Sequence, residues 1–357
     1  MNIAVISEQP MNKGGGFQQE LTTILLLYKY KSSVYNFIFF STVEDNIYLL
    51  KKHNLDMNYI KITLWDKLLR SIKRCEIIYA ILNSPSPFAF DLTTHNYILT
   101  VWDLCHRDFV EFPEMRESKS FERKEKYFLT ALKKAAAIIA DSNYGKANII
   151  RRYGIDDDRV FALPFQPANF TAISDIEYEK DYIDIKIKYK INGNYIFYPA
   201  QFWTHKNHIY ILEALKILKD NYKIELHAVF CGSDIGNLKY VLSKAKSLDI
   251  DSIIHYIGFA DNKEMPYLYK QSAALVMPTY FGPTNIPPLE AFQLGCPVCY
   301  SNLPGLKEQV QESAFLIDLD NPQSLVEALL TIMKDKDEVN RKIISGKEKV
   351  ASTKEED

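Results

Sequence analysis

Residues 278–298 of this chain, PTYFGPTNIPPLEAFQLGCPV, constrain its fold most strongly. An apolar run at 273–277 precedes them and has the length of a buried parallel strand. A loop rich in Gly, Pro, Thr and Asn follows, and then Pro287 and Pro288 start a helix at positions where a missing N–H costs nothing. Gly295 ends this helix. A strand, a loop and a helix start in this order predict a phosphate site, because the helix N–H groups and dipole favour an anion.

Glu290 lies in the first turn of this predicted helix, where a carboxylate can accept two hydrogen bonds from a diol such as a ribose. Pro-Pro-Leu-Glu-Ala at 287–291 and Gly-Cys-Pro-Val at 295–298 resemble the donor-binding motif of the retaining glycosyltransferases of family four, which have the GT-B architecture. The family pattern is a Glu, seven residues and a second Glu. The resemblance implies that Glu290, the second Glu, holds the nucleotide ribose. Gly282 stands at the position of the first Glu.

A second segment with this resemblance is 199–208, PAQFWTHKNH, between a predicted strand at 195–198 and a helix. The family carries Gly-Arg-Leu, three residues and Lys here. Lys206 keeps the Lys, while Gln201 replaces the Arg. A departing nucleoside diphosphate needs positive charge, which Lys206, helix amides and a protonated His205 can supply. A lysine that is merely solvated is disfavoured at a helix start, because a cation there opposes the dipole.

Glycine turns and loop residues at predicted strand ends complete the predicted donor site, since ligands of α/β sheets bind at strand ends. In addition to the catalytic candidates Lys206 and Glu290, the donor-binding set is Gly15, Gly16, Gln201, His205, Gly232, Gly258, Phe259, Gly282, Pro283, Thr284, Asn285 and Ile286.

The first half of the chain also begins as a doubly wound α/β domain. A strand at 3–6, three glycines at 14–16 and an amphipathic helix form its first unit, although glycines often only let a loop turn. Asp103 and His106 follow a predicted strand at 97–101, so both are candidate catalytic residues that contact donor or acceptor. The alternative is a structural role for His106.

Composition limits the class of protein. The 357 residues are 47% hydrophobic and carry a net charge of −2, which is typical of globular proteins and argues against nucleic-acid binding. We see no signal-peptide layout and no apolar stretch long enough for a bilayer. Five scattered cysteines suit a reducing compartment, so cytoplasmic localisation is expected, and Cys296 and Cys299 are expected to be buried packing residues.

The basic segment at 61–74 leaves two alternatives. Its apolar residues recur at helical spacing around Trp65, and lysines and arginines flank them. One alternative is that this helix lies in a membrane interface, with the protein peripheral at the inner face of the membrane. A surface helix with its apolar side on the core is the commoner alternative.

The sequence therefore predicts an α/β protein of the GT-B class, with two Rossmann-like domains facing across a cleft. The predicted boundaries are an acceptor domain at 1–167, a linker at 168–190, a nucleotide-sugar domain at 191–335 and a charged C-terminal segment at 336–357. The resemblance implies a retaining hexosyltransferase that moves a sugar from a UDP, GDP or dTDP sugar to a saccharide or lipid-linked saccharide, without a cofactor or metal. Surface polysaccharide, O-antigen or glycolipid synthesis is the expected setting. A sugar-nucleotide epimerase and a non-catalytic nucleotide-sugar-binding partner subunit are the alternatives.

Overall fold

The computed structural model describes residues 1–9, 15–29, 34–41, 43–46, 57–59, 75–80, 96–282 and 284–356. The basic segment at 61–74 and Pro283 lie outside these residues. The chain divides into two compact units. The first contains Met1–Glu111 and Met115–Phe165, and the second contains Phe112–Glu114 and Gln166–Asp357.

A seven-stranded parallel sheet forms the first unit. Its strands are β1 (Asn2–Ser7), β2 (Asn36–Ser41), β3 (Met57–Tyr59), β4 (Ile77–Ala80), β5 (Tyr97–Val101), β6 (Ala137–Ala140) and β7 (Val160–Ala162), in the order β3-β2-β1-β4-β5-β6-β7. Its described helices are α1 (Gly15–Lys29), α2 (Cys105–Asp108), α4 (Ser120–Lys134) and α5 (Asn143–Tyr153). The short helix α3 (Pro113–Arg116) is divided between the units, because its first two residues belong to the second unit and its last two to the first.

Both faces of this sheet are covered. Ala4 and Ile6 of β1 belong to one buried cluster, whereas Ile3 and Val5 belong to another. Because successive side chains of a strand point to opposite faces, the two clusters lie on opposite sides of the sheet. Buried faces on both sides are the reason why these strands are apolar almost throughout.

The second unit contains a six-stranded parallel sheet. Its strands are β8 (Tyr195–Pro199), β9 (His227–Cys231), β10 (Ile254–Tyr256), β11 (Ala274–Met277), β12 (Val298–Ser301) and β13 (Phe315–Ile317), in the order β10-β9-β8-β11-β12-β13. Its helices are α6 (Asp175–Lys180), α7 (Ile185–Tyr189), α8 (His208–Tyr222), α9 (Leu238–Ser247), α10 (Met265–Lys270), α11 (Ile286–Leu294), α12 (Pro304–Val310), α13 (Pro322–Lys334) and α14 (Lys336–Glu356).

Residues 168–190, which the composition led us to expect as a linker, belong to the second unit in the structure. Tyr178 of this segment stacks on Tyr267, with 4.6 Å between the ring centroids. The Tyr267 hydroxyl also donates to the backbone oxygens of Tyr178 and Asp181. Tyrosines that bury a ring and bond through the hydroxyl explain how so polar a segment is ordered.

The charged segment at 336–357 contains the helix α14, which packs on α11. A Cβ atom at Gly346 would lie 2.5 Å from a ring carbon of Phe292, so only glycine fits at this contact. Val350, one turn later, is also buried. The helix therefore packs through a small and an apolar residue, although most of its residues are polar.

Candidate functional site

The strand order of the second unit defines where a ligand can bind. The chain runs from β8 outward to β9 and β10, and then returns to β11 on the other side of β8. Open α/β sheets bind ligands beyond the carboxyl ends of the strands at such a reversal of direction. The loops that leave β8 and β11, at 200–207 and 278–285, lie at this point. They contain six of the twelve predicted donor-binding residues, and Lys206.

The loop after β8 ends in one 3₁₀ turn, Thr204–Lys206. The Tyr198 hydroxyl donates to the Lys206 backbone oxygen at 2.8 Å, which ties the end of the turn to β8. Asn207 then takes a left-handed conformation, with φ of 53°, and α8 begins at His208. The turn thus places Lys206 directly ahead of a helix, as its position in the sequence predicts.

The loop after β11 is bonded to this turn. The backbone N–H of Tyr280 donates to the His205 backbone oxygen at 2.9 Å. The Ser301 hydroxyl donates to the Thr279 backbone oxygen at 2.7 Å, so β12 supports the same loop. The two loops are therefore joined by backbone contacts that do not depend on a ligand.

Lys206 points to the N-terminus of α11. Its ammonium donates to the Asn285 side-chain oxygen at 3.2 Å. Asn285 is the N-cap residue of α11, yet its side chain makes no capping hydrogen bond and instead donates to the Tyr300 hydroxyl at 2.7 Å. A cation beside a helix N-terminus opposes the helix dipole. An anion placed between them would be attracted both by the Lys206 ammonium and by the positive end of the α11 dipole.

Two residues that the sequence analysis missed hold Asn285 in place. The Gln309 side-chain oxygen accepts from the Asn285 backbone N–H and from the Tyr300 hydroxyl, each at 3.0 Å. The Gln309 amide nitrogen donates to the Asn285 backbone oxygen at 2.6 Å. The predicted contact of Asn285 with a donor needs a correction for its backbone N–H, which is occupied by Gln309. No sequence motif marks Gln309, a single buried polar residue of α12.

Gly282 has a conformation that favours glycine, with φ of 102°. A Cβ atom there would lie 3.2 Å from the Asn285 amide nitrogen. The backbone and this neighbour therefore both explain why Gly282 replaces the first Glu of the family pattern. Thr284 and Ile286, on either side of Asn285, are buried. Their predicted role in donor binding would be exerted through the backbone.

Glu290 is a buried carboxylate one turn into α11, with a side chain that is 4% exposed. The Tyr269 hydroxyl donates to one of its oxygens at 2.5 Å. Burial raises the pKa of Glu290 to about 7, although this hydrogen bond acts in the opposite direction. Glu290 lies one turn after Asn285, the N-cap residue of the same helix. Its predicted contact with a ribose stays a prediction.

Gln201 and His205 have protein partners. The Gln201 side-chain oxygen accepts from the Trp203 indole nitrogen at 2.9 Å. The His205 ring stacks on Phe281, with 3.8 Å between ring centroids, and its Nδ1 bonds Glu114 at 2.5 Å. Contacts of either residue with a donor stay predictions.

The ends of β9 and β10 bring Gly232, Gly258 and Phe259 together. The backbone N–H of Gly232 donates to the Gly258 backbone oxygen at 2.8 Å. A Cβ atom at Gly232 would lie 2.3 Å from the Ala200 backbone oxygen, so glycine is required where the residue after β9 approaches the residue after β8. Phe259 is 58% exposed, which leaves an aromatic face open beside this turn.

In the first unit, Gly15 and Gly16 form the start of α1 after β1. A Cβ atom at Gly16 would lie 3.0 Å from the Trp102 ring, so this glycine permits close packing. Burial raises the pKa of the neighbouring Glu20 to about 7, and Ser7 donates to the carboxylate at 2.5 Å. Glu20 also accepts from the Gln9 backbone N–H at 3.0 Å, so it joins residues 7–9 to α1, which the sequence analysis did not predict.

Asp103 and His106 follow β5, but they have different surroundings. Asp103 accepts from the Cys105 backbone N–H at 3.0 Å and is 3.7 Å from the Lys124 ammonium. The His106 ring is fully buried, and its Nε2 bonds Glu125 at 2.7 Å. Burial lowers the pKa of His106, even though Glu125 acts in the opposite direction. These contacts correct our expectation for His106 and favour its structural alternative.

Within the part of the chain that the structure describes, no group of three or more His, Cys, Asp or Glu side chains could hold a metal ion. Among the described helices, none is both long enough and apolar enough to cross a bilayer.

Comparison with known protein families identifies the second unit. Residues 181–350 match the family of glycosyl transferases group 1. This segment belongs to that family. The group 1 domain contains Lys206, Asn285 and Glu290, which confirms the resemblance that the sequence motifs indicated.

Two curated relatives and one solved structure are similar over longer stretches. The O-antigen chain mannosyltransferase RfbU of Salmonella typhimurium is 24% identical over 213 residues, 59% of this chain and 55% of the relative. The O-antigen chain mannosyltransferase B of Escherichia coli is 22% identical over 233 residues, which are 62% of this chain and 58% of the relative. The chain thus spans little more than half the length of these relatives.

The structure of Anabaena Alr3699/HepE in complex with UDP and glucose superposes with a TM-score of 0.79 at 15% identity, over 99% of this chain and 95% of that one. At this identity the similarity concerns the fold. It confirms the predicted α/β fold class, two Rossmann-like units of the GT-B type.

Proposed function

We propose that this chain is a glycosyltransferase that moves a sugar from a nucleoside diphosphate sugar to a hydroxyl of a saccharide. One observation carries the proposal. The Lys206 ammonium lies 3.2 Å from the side chain of Asn285, the N-cap of α11, at the strand reversal of a group 1 domain. A cation and a helix N-terminus at one point suit the diphosphate of a donor.

The chemistry follows from these charges. The bond between the anomeric carbon and the diphosphate breaks, and a new bond forms between that carbon and the acceptor oxygen. Negative charge grows on the departing diphosphate, where Lys206 stabilises it. In the retaining mechanism that the resemblance implies, a phosphate oxygen takes the acceptor proton. No general base of the protein and no metal ion is then required.

The names of the relatives support the choice of substrates. Two of them are O-antigen chain mannosyltransferases, and a solved structure of the same fold binds UDP and glucose. We therefore propose a saccharide acceptor in O-antigen or another surface polysaccharide. Synthesis in the cytoplasm, with the acceptor at the inner face of the membrane, is part of this proposal.

A panel of UDP, GDP and dTDP sugars tests the donor first. A donor that binds the folded protein raises its melting temperature. Turnover is then measured with that donor and saccharide acceptors, with and without EDTA. We expect EDTA to leave the rate unchanged. Tight binding without turnover would favour the non-catalytic alternative.

Variants test the site itself. Lys206→Ala should lower turnover by about one to three orders of magnitude, the size expected when one transition-state contact is lost. The matched control is Lys239→Ala, which removes an exposed lysine of α9. Equal rates for the two variants would refute the role of Lys206. Glu290→Ala should abolish donor binding, and an unchanged affinity in calorimetry would contradict the ribose contact.

A further inference from the structure

Phe112–Glu114 come from the first half of the sequence but belong to the second unit. One Glu114 carboxylate oxygen accepts from the His205 backbone N–H at 3.0 Å and bonds the His205 ring Nδ1 at 2.5 Å. The side chains of Glu114 and His205 are only 7% and 10% exposed. Two hydrogen bonds to one buried carboxylate oxygen fix both the backbone and the ring of residue 205.

His205 is also the point where the two loops of the site meet. Its ring stacks on Phe281 at an interplanar angle of 18°, and the Phe112 ring packs edge-on against Phe281 with centroids 5.5 Å apart. Its backbone oxygen accepts from the Tyr280 N–H at 2.9 Å. The segment that contains Glu114 thus contacts the loop with Lys206 and the loop that leads to Asn285.

The turn that carries Lys206 needs such support. A single 3₁₀ turn has poor hydrogen-bond geometry and is marginally stable by itself. A lysine side chain also loses much rotamer freedom when its ammonium is held at one position. If residue 205 were free to move, the adjacent Lys206 would sample positions away from Asn285.

We propose that Glu114 is a positioning residue that holds the Lys206 ammonium at the N-terminus of α11 through its two hydrogen bonds to His205. This inference rests on the proposed function, because the position of the ammonium affects ligand binding only if Lys206 binds the diphosphate of a donor. Burial acts to raise the pKa of Glu114, but hydrogen bonds from His205 outweigh it and hold that pKa below its ordinary value. Glu114 is thus an ionised acceptor at neutral pH.

A double-mutant cycle tests the proposal. UDP, GDP and dTDP are titrated by calorimetry into the full chain, and the tightest binder is used for all variants. Glu114→Ala should weaken its binding about tenfold, the size of a typical coupling between groups in one network. In a Lys206→Ala background the same change should alter affinity by less than about twofold. A structural defect alone would reduce affinity equally in both backgrounds.

Conservative variants distinguish a positioning role of Glu114 from an effect of its substitution on the stability of the fold. Glu114→Gln keeps an oxygen that can accept from His205, so it should retain affinity within about threefold. Glu114→Asp places the carboxylate about one methylene short and should resemble Glu114→Ala. Glu111→Ala, which removes an exposed carboxylate nearby, is the control. If Glu114→Ala does not fold, the Gln and Asp variants carry the cycle.

The outcomes distinguish the two proposals. If none of the three nucleotides binds the parent chain, or Lys206→Ala binds as the parent does, the proposed function fails. If Lys206→Ala weakens binding while Glu114→Ala and Glu114→Asp do not, the proposed function stands and the positioning role is refuted. Equal losses from Glu114→Ala in both backgrounds would also refute it.

Discussion

Glu290→Gln is expected to stabilise the protein at alkaline pH and to have little effect at acidic pH. Burial raises the pKa of Glu290 from the ordinary 4.5 to about 7, so ionising this carboxyl inside the fold is unfavourable. Glutamine has nearly the same shape and keeps an oxygen that can accept from Tyr269. The variant therefore removes the ionisation but retains the buried hydrogen bond.

The magnitude follows from linkage. Between pH 4.5 and 7 the folded protein binds a proton at Glu290 that the unfolded chain has released, so stability falls as the pH rises. A difference from 4.5 to about 7 corresponds to about 3 kcal/mol. The variant should therefore gain about 2.5 kcal/mol between pH 5 and pH 8 relative to the parent. For a unit of this size that gain is a rise of about 5–10 °C in melting temperature.

Urea unfolding of parent and variant at pH 5, 6, 7 and 8 gives the difference directly, from midpoints at constant m-value. Glu327→Gln is the matched control, because Glu327 is an exposed residue of the helix α13. A stability difference between Glu290→Gln and the parent that does not change with pH would refute the reasoning, as would the same pH dependence in the control.

Two further substitutions test other buried polar groups. His208 is fully buried, burial lowers its pKa to about 3, and neither ring nitrogen has a hydrogen-bond partner among the described residues. His208→Phe should therefore raise the free energy of unfolding by about 1–3 kcal/mol. A loss of stability in urea unfolding would contradict this. Gln309→Ala removes the three hydrogen bonds that hold Asn285 and Tyr300. It should weaken nucleoside diphosphate binding about tenfold in calorimetry, and unchanged affinity would show that Asn285 needs no such support.

The sequence allowed much of the second unit to be predicted because its site is built locally. Lys206 and the first turn of α11 each follow directly after a strand of a parallel sheet. Strands, turns and helix starts have sequence patterns of short range, and parallel topology brings strand ends to one edge. The position of both segments therefore followed from patterns a few residues long.

The supporting contacts could not be predicted, because they join residues far apart in the sequence. Gln309 and Glu114 are ordinary polar residues of short helices, and nothing near them in the chain indicates a partner at Asn285 or His205. His106 illustrates the opposite error. It follows a strand end as ligand-binding residues do, but the chain turns its ring into the core against Glu125.

The N-terminus of α11 offers few N–H donors, so Lys206 provides more of the positive charge at this site than is usual at a helix N-terminus. Of residues 285–288, Pro287 and Pro288 have no N–H, and the Asn285 N–H is bonded to Gln309. Among the hydrogen bonds of the described residues, this leaves the Ile286 N–H as the one of these four that can donate to a ligand. A helix start with so few donors binds an anion weakly unless a cation adds to it. If the site binds a diphosphate as we propose, the Lys206 ammonium is its main positive charge, and Glu114, which fixes the neighbouring His205, helps to set where that charge lies.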